Sequence, residues 1–97
     1  MHIVSQKALR LFWEKHPDAE QPLRAWYLIA TRAQWRTPAD VKTDYGAASI
    51  IGNNRVVFNI KGNTYRLVVV VAYQQGRMFI RFVGTHAEYD SIDATTI

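Results

Sequence analysis

The chain has 97 residues, enough for one domain and one core with no room for a second. Hydrophobic residues are 48% and charged residues 21%, a balance that folds rather than staying disordered. The absence of cysteine excludes disulfides, thiolate metal sites and a cysteine nucleophile, while a net charge of +4 favours anionic partners such as nucleic acid or an acidic protein. His2–Val4 is a short apolar lead that reads as an edge strand, with no basic run ahead of it to suggest a signal peptide. Ser5 is placed as the N-cap of a first helix, in which Ala8, Leu9, Phe12 and Trp13 fall at helical spacing and Pro17 ends the pattern. Asp18 with Gln21 resembles a capping box for a second helix, with Pro22 near its start and Leu23, Trp26, Tyr27, Ala30 and Ala33 as its apolar stripe. Thr37-Pro38-Ala39-Asp40 opens a brief third helix that Gly46 can end, and the three tryptophans, Trp13, Trp26 and Trp35, read as helix-to-sheet core.

After the Asn53-Asn54 turn signal everything reads as strand. The longest apolar run, Leu67 to Tyr73, is far too short to span a bilayer, so no membrane is expected and a cytoplasmic location is. A two-residue Gly62-Asn63 loop pairs Lys61 with Thr64, Asn59 with Arg66, Val57 with Val68 and Arg55 with Val70. A two- or four-residue loop in Gln74-Gln75-Gly76-Arg77 then sets Arg66 beside Thr85, Val68 beside Val83 and Val70 beside Arg81; a three-residue loop would flip the last strand.

That register predicts a sheet with two unlike faces. One carries Val56, Phe58, Ile60, Tyr65, Leu67, Val69, Val71, Tyr73, Met78, Ile80 and Phe82 and must be covered by the helices. The other carries Arg55, Asn59, Lys61, Arg66, Arg81 and Thr85 around a stripe of Val57, Val68 and Val83, a groove for an antagonist segment or for the chain's own C-terminus. Asn59, Arg66 and Thr85 are expected in one row with Lys61 a step beyond. Thr85 with Glu88 forms a further capping box that puts His86 at the first position of a terminal helix and Tyr89 one turn on.

This corner suits a phosphate. Arg66 can bind it bidentately, Lys61 can serve as a point charge, and the helix start adds backbone donors. His86 can take up a proton and Tyr89 can stack on a base. An RNA phosphodiester brings its own nucleophile, the 2′-hydroxyl, so neither metal nor cofactor is called for. Bland readings stand beside these. Lys61 can merely solubilise a hairpin, His86 can pack on Tyr65, Tyr89 can be core, and Arg55 and Arg81 can be backbone contacts or solvated surface. His2 and His16 lack metal-ligand spacing.

The runs "FWEKHPDAEQPLRAWY", "NNRVVFNIKGNTYRLVVVV" and "FIRFVGTHAEYD" together resemble the HigB-type toxins of bacterial toxin–antitoxin systems, small relatives of the RelE-like ribonucleases. The resemblance covers essentially the whole chain. It implies an α+β fold in which an N-terminal helical hairpin packs on an antiparallel sheet with a short C-terminal helix. It further implies ribosome-dependent cleavage of mRNA to a 2′,3′-cyclic phosphate and a 5′-hydroxyl, and a HigA-type antitoxin as partner. Arg66 matches the strand arginine that stabilises the scissile phosphate, Lys61 the basic region beside it, and His86 and Tyr89 the C-terminal segment completing the site. Asn59, Arg55, Arg81 and Thr85 are the expected RNA contacts. The competing function on the same fold is a ParE-like toxin that poisons DNA gyrase without catalysis.

Overall fold

The spacing of apolar residues is followed closely by the elements of the computed structural model, which describes residues 1–97. They run β1 (His2–Val4), α1 (Gln6–Lys15), a 3-10 turn (Pro17–Ala19), α2 (Glu20–Arg32), α3 (Pro38–Asp44), β2 (Ser49–Ile51), β3 (Arg55–Ile60), β4 (Tyr65–Ala72), β5 (Arg77–Thr85) and α4 (His86–Asp90). The strands form one sheet in the order β1-β5-β4-β3-β2. This is an α+β fold, and its sheet is mixed rather than purely antiparallel, because β1 pairs parallel to β5 while the other neighbours are antiparallel.

The helices cover one face of the sheet. Leu9, Trp13, Leu23, Trp26, Ala30 and Val41 pack on Val56, Phe58, Ile60, Leu67, Val69, Val71 and Met78, and all are buried. Each fully buried aliphatic side chain here contributes about 1.5–3 kcal/mol by leaving water. Phe58 lies at the centre of the aromatic packing, 5.3 Å from Trp26, 5.1 Å from Tyr45 and 6.0 Å from Trp35 between ring centroids. The carbonyls at the end of α2 find a donor in the Met1 amino group, which bonds to Ala30, Thr31 and Ala33.

Ser5 and Thr37 stand at the expected N-caps, and Thr37 makes its capping box with Asp40. The box proposed for Asp18 and Gln21 does not form. The N-cap of α2 is Ala19, and the Asp18 carboxylate accepts instead from Lys61 Nζ at 2.6 Å and from the Tyr65 hydroxyl. An ammonium and a phenol hydroxyl together outweigh one backbone amide at a cap.

The β3–β4 register is the one the turn length dictates, with Asn59 opposite Arg66, Val57 opposite Val68 and Arg55 opposite Val70. The β4–β5 register is not. Ala72 pairs with Arg77 across a loop of Tyr73 to Gly76, in which Gly76 takes a φ of +66°. Val69 then pairs with Ile80 but Val68 with Phe82, so Arg81 is the extra residue of a β-bulge. Beyond the bulge every side chain changes face. Val83 packs against the helix-side core, Phe82 joins Val57 and Val68 on the opposite face, and Arg66 lies opposite Gly84, with Thr85 opposite Tyr65.

The face away from the helices is partly roofed by the chain's own C-terminal residues. Ala94 is buried against Val57 and Val68, with Ile97, Phe82 and Tyr89 packed around them. Asn53 donates its side-chain amide to the Thr95 carbonyl at 2.8 Å, and Arg55 donates to the Ile97 carbonyl from Nε at 3.1 Å and again from Nη2. Of the two occupants expected for this groove, the structure holds the chain's own tail.

Candidate functional site

With the middle of that face covered, the end carrying Asn59, Arg66 and Gly84 is left open. Arg66 is half-buried and has no carboxylate within ion-pair distance; its one intrachain bond is from Nη1 to the Asn63 carbonyl at 3.3 Å. Its guanidinium lies 5.8 Å from the centre of the Tyr89 ring, which in turn lies 6.4 Å from the Phe82 ring. A cation stacked on an aromatic and unpaired with an anion keeps its donors available for a ligand.

Gly84, directly opposite Arg66, is buried and closely covered by side chains, so a larger residue there must displace them. A Cβ there would come within 2.5 Å of Phe82 Cζ and 3.1 Å of Glu88 Oε1. The Phe82 ring therefore folds over the glycine, and Tyr89 rests on it beneath Arg66. Neither Phe82 nor Gly84 is among the sequence-predicted site residues. The signal for Gly84 is a lone glycine inside a strand pattern, which marks a close approach.

The terminal helix adds further titratable groups. Thr85 and Glu88 form the expected capping box, with Thr85 N–H donated to Glu88 Oε1 at 2.8 Å and Glu88 N–H to Thr85 Oγ1 at 3.1 Å. The Thr85 backbone amide, then the Thr85 side-chain hydroxyl, holds the Glu88 carboxyl below the ordinary range. His86 N–H is donated to the Thr64 carbonyl at 3.2 Å. The amides expected to receive an anion at this helix start are thus largely spent within the chain. The His86 side chain is exposed, and its Nδ1 is 3.1 Å from Asp90 Oδ2. Residues three and four apart share a helix face, so His86, Tyr89 and Asp90 lie together at the open corner. Asp90 is legible from spacing alone, four residues after the histidine.

Lys61 is not where the strand alternation places it. Its φ of +54° and that of Gly62, +63°, turn the chain at the end of β3. The ammonium reaches Asp18 in the helix layer rather than the face that bears Arg66. Hydrogen bonds from Lys61 and then Tyr65 hold the Asp18 carboxyl below the ordinary range, and the same bond, with burial, raises the Tyr65 phenol. Around this triad Phe12 stacks on His16 at 4.4 Å and meets Tyr65 edge-on at 5.2 Å.

The structure brings together Asn59, Arg66 and Tyr89, with His86 on the adjoining helix face and Lys61 at the hairpin turn that ends β3. It does not bring Arg55, which fastens the tail, Arg81, which is exposed at the bulge, or Thr85, whose side chain caps α4 on the other side of its strand.

A family model described as HigB_toxin, RelE-like toxic component of a toxin-antitoxin system, matches residues 19–92. That span includes every residue of the corner and most of the fold. The chain belongs to the HigB toxin family. Among similar curated proteins, one from Escherichia coli (strain K12), named mRNA interferase toxin HigB, is 31% identical over 96 residues, covering 97% of this chain and 92% of that protein. The mRNA interferase HigB of Shigella flexneri shows the same identity and coverage, and that of Escherichia coli O6:H1 is 24% identical over 94 residues. The family match agrees with the resemblance seen in the sequence, and a toxic component of such a system implies an antitoxin as partner.

Proposed function

We propose that this chain is an mRNA interferase, an endoribonuclease that arrests translation by cutting message on the ribosome, and that the Arg66 corner performs the cut. Family membership and the activity named for its 31%-identical relatives support the enzyme class. The observation that carries the site is Arg66 itself, a half-buried strand arginine stacked on Tyr89, without an anionic partner, at an end of its sheet face that the tail leaves open.

In this reading the scissile phosphate sits on the Arg66 guanidinium, with the Asn59 amide beside it, and the arginine stabilises the charge that builds on the non-bridging oxygens. The ribose 2′-oxygen attacks phosphorus. As the O2′–P bond forms, the 2′-hydroxyl proton passes to His86 Nε2, which is available when Nδ1 donates to Asp90. The P–O5′ bond breaks and the departing oxygen takes a proton from water at this exposed corner, and the hydroxide left behind recovers the proton from His86. The products are a 2′,3′-cyclic phosphate and a 5′-hydroxyl. Because the nucleophile belongs to the substrate, no metal is needed to generate it. Lys61, paired with Asp18 at the hairpin turn, lies beside this corner rather than on the phosphate. Tyr89 supports Arg66 and offers a ring edge to the neighbouring base. Neutralisation by a HigA-type antitoxin and action in the cytoplasm complete the proposal.

Arg66→Ala is expected to lower cleavage about 10²- to 10³-fold, the scale of one lost oxyanion donor, with an unchanged circular dichroism spectrum and intact antitoxin binding. A folded Arg66→Ala protein that still cuts at the native rate would remove Arg66 from the site.

A further inference from the structure

The concavities of this molecule are not at the Arg66 corner. They lie at the opposite end of the sheet, around the β4–β5 loop. An open cleft of about 350 Å³ runs between the α2–α3 connection and Tyr73-Gln74-Gln75, and a second of about 480 Å³ continues from Arg36 past the same loop to Asn54 and Val70. Arg36, Tyr73 and Gln74 line both. The Arg36 guanidinium makes no ion pair or hydrogen bond within the chain, and neither do the side-chain amides of Gln74 and Gln75. Burial, then the Asp40 charge, raises the Tyr73 phenol, and Asp40 itself has its Oδ2 on the backbone amides of Arg36 and Thr37. A free guanidinium, an aromatic ring and two unspent amides around one cleft match a phosphate, a base face and a base edge. An acidic peptide would use the arginine and could bond the amides through its backbone, but its carboxylates offer no flat face to the ring.

We propose that this cleft is a second RNA contact, taking one single-stranded nucleotide with its phosphate on Arg36, its base against Tyr73 and its base edge on Gln74 and Gln75. The inference rests on the mRNA interferase reading and extends it. Tyr73 and Arg66 are seven residues apart on β4 and its exit, about 23 Å at ~3.3 Å per residue, so no single nucleotide reaches both. The cleft anchors while the corner cuts. The RNA is either a distal stretch of the message or an exposed ribosomal strand; the chemistry of contact is the same.

The test is cleavage of a defined message on programmed ribosomes, titrated with toxin, comparing the native protein with Arg36→Ala and with Gln74→Ala. Both side chains are exposed, so neither change threatens the fold. The expected result for Arg36→Ala is a rise of about tenfold in the half-saturating toxin concentration at an unchanged maximal rate, and a salt-dependence slope smaller by about one. Arg66→Ala, in the same assay, lowers the maximal rate instead. Ultraviolet crosslinking then identifies the source, since the Tyr73 peptide joins either message or ribosomal RNA. Unchanged half-saturation and slope in both variants would overturn the proposal. So would loss of antitoxin binding with RNA engagement intact, which would make the cleft a surface for an acidic protein. If the native protein leaves message uncut, the reading of the corner fails, and the cleft is decided by crosslinking alone: a Tyr73 crosslink to RNA upholds it and its absence refutes it.

Discussion

At the scale of single residues, this protein sorts its charges by what answers them. Lys61 has Asp18, Arg24 has Glu20, Arg55 has the Ile97 carbonyl, and Arg66 has only an aromatic ring and one long bond to a carbonyl. Several exposed cations also lack a partner, but Arg66 is half-buried and still meets no anion, and that combination, rather than net charge, singles it out. It was half legible in the sequence: a cation inside a valine strand demands a partner or a ligand, but which cations already had partners was not. Asp18 and Lys61 are 43 residues apart, and no local pattern announces their contact. Asp18 gives a pH prediction. Its carboxyl is held low in the fold by Lys61 and Tyr65, so its contribution to stability is complete above the ordinary carboxylate range and is lost as pH falls through the lowered value. Asp18→Asn should therefore melt below the native protein at neutral pH, with the gap closing in acid. Melting curves across pH check this, and a gap that stays constant into acid would contradict it. His86 and Asp90 give a second residue-level expectation. His86→Ala should slow cleavage about 10²- to 10⁴-fold, the range of a positioned general base, and Asp90→Asn should slow it less, because it only misorients the ring. Single-turnover rates on ribosomes distinguish the two, and an equal or greater loss in Asp90→Asn would reverse their roles.

At the scale of elements, the lesson lies in β5. The β3–β4 hairpin could be registered from the sequence because a short turn fixes the pairing and the alternation continues undisturbed. The β4–β5 hairpin could not: its loop falls at Tyr73–Gly76, which moves the pairing by two residues, and one extra residue at Arg81 moves it back by one, exchanging Phe82 and Val83 between faces and leaving Gly84, not Thr85, opposite Arg66. A bulge has no compositional mark. Its consequence is functional: it places the Phe82 ring on the open face, where it supports Tyr89 and through it Arg66. β2 escaped notice for another reason, being three residues long with Ser49 and Ile50 both exposed, so no alternation showed. The prediction here is Gly84→Ala. The added methyl meets Phe82 at a distance no contact tolerates, which should cost about 1–3 kcal/mol in stability, as overpacking does, and should lower cleavage by dislodging the aromatic support. Denaturant titration with a parallel activity assay checks both, and an alanine variant as stable and active as the native protein would show that Phe82 moves aside freely.

At the scale of the whole molecule, the sheet divides the labour. The helices occupy one face entirely, and the tail occupies the middle of the other, so RNA is offered the two ends: the Arg66 corner and the Arg36 cleft. That the valine stripe must be covered was legible from its composition; what covers it came from long-range packing of Ala94 on Val57 and Val68. Introducing charge there, as Ala94→Asp, should lift the tail from the sheet, because an unpaired carboxylate does not remain on buried valines. Hydrogen exchange would report the loosening as loss of protection in 92–97 with β4 still protected. Protection of the tail equal to the native level would contradict the seat described for Ala94.

The most direct measurement is primer extension on one defined mRNA, with and without programmed ribosomes, using native protein and the Arg66→Ala and His86→Ala variants. Cuts that appear only with ribosomes, end in a 2′,3′-cyclic phosphate and vanish in both variants are the expected result. Active, toxic protein that leaves the message whole, or variants that cut like the native chain, would contradict the assignment of the Arg66 corner as the place where RNA is cleaved.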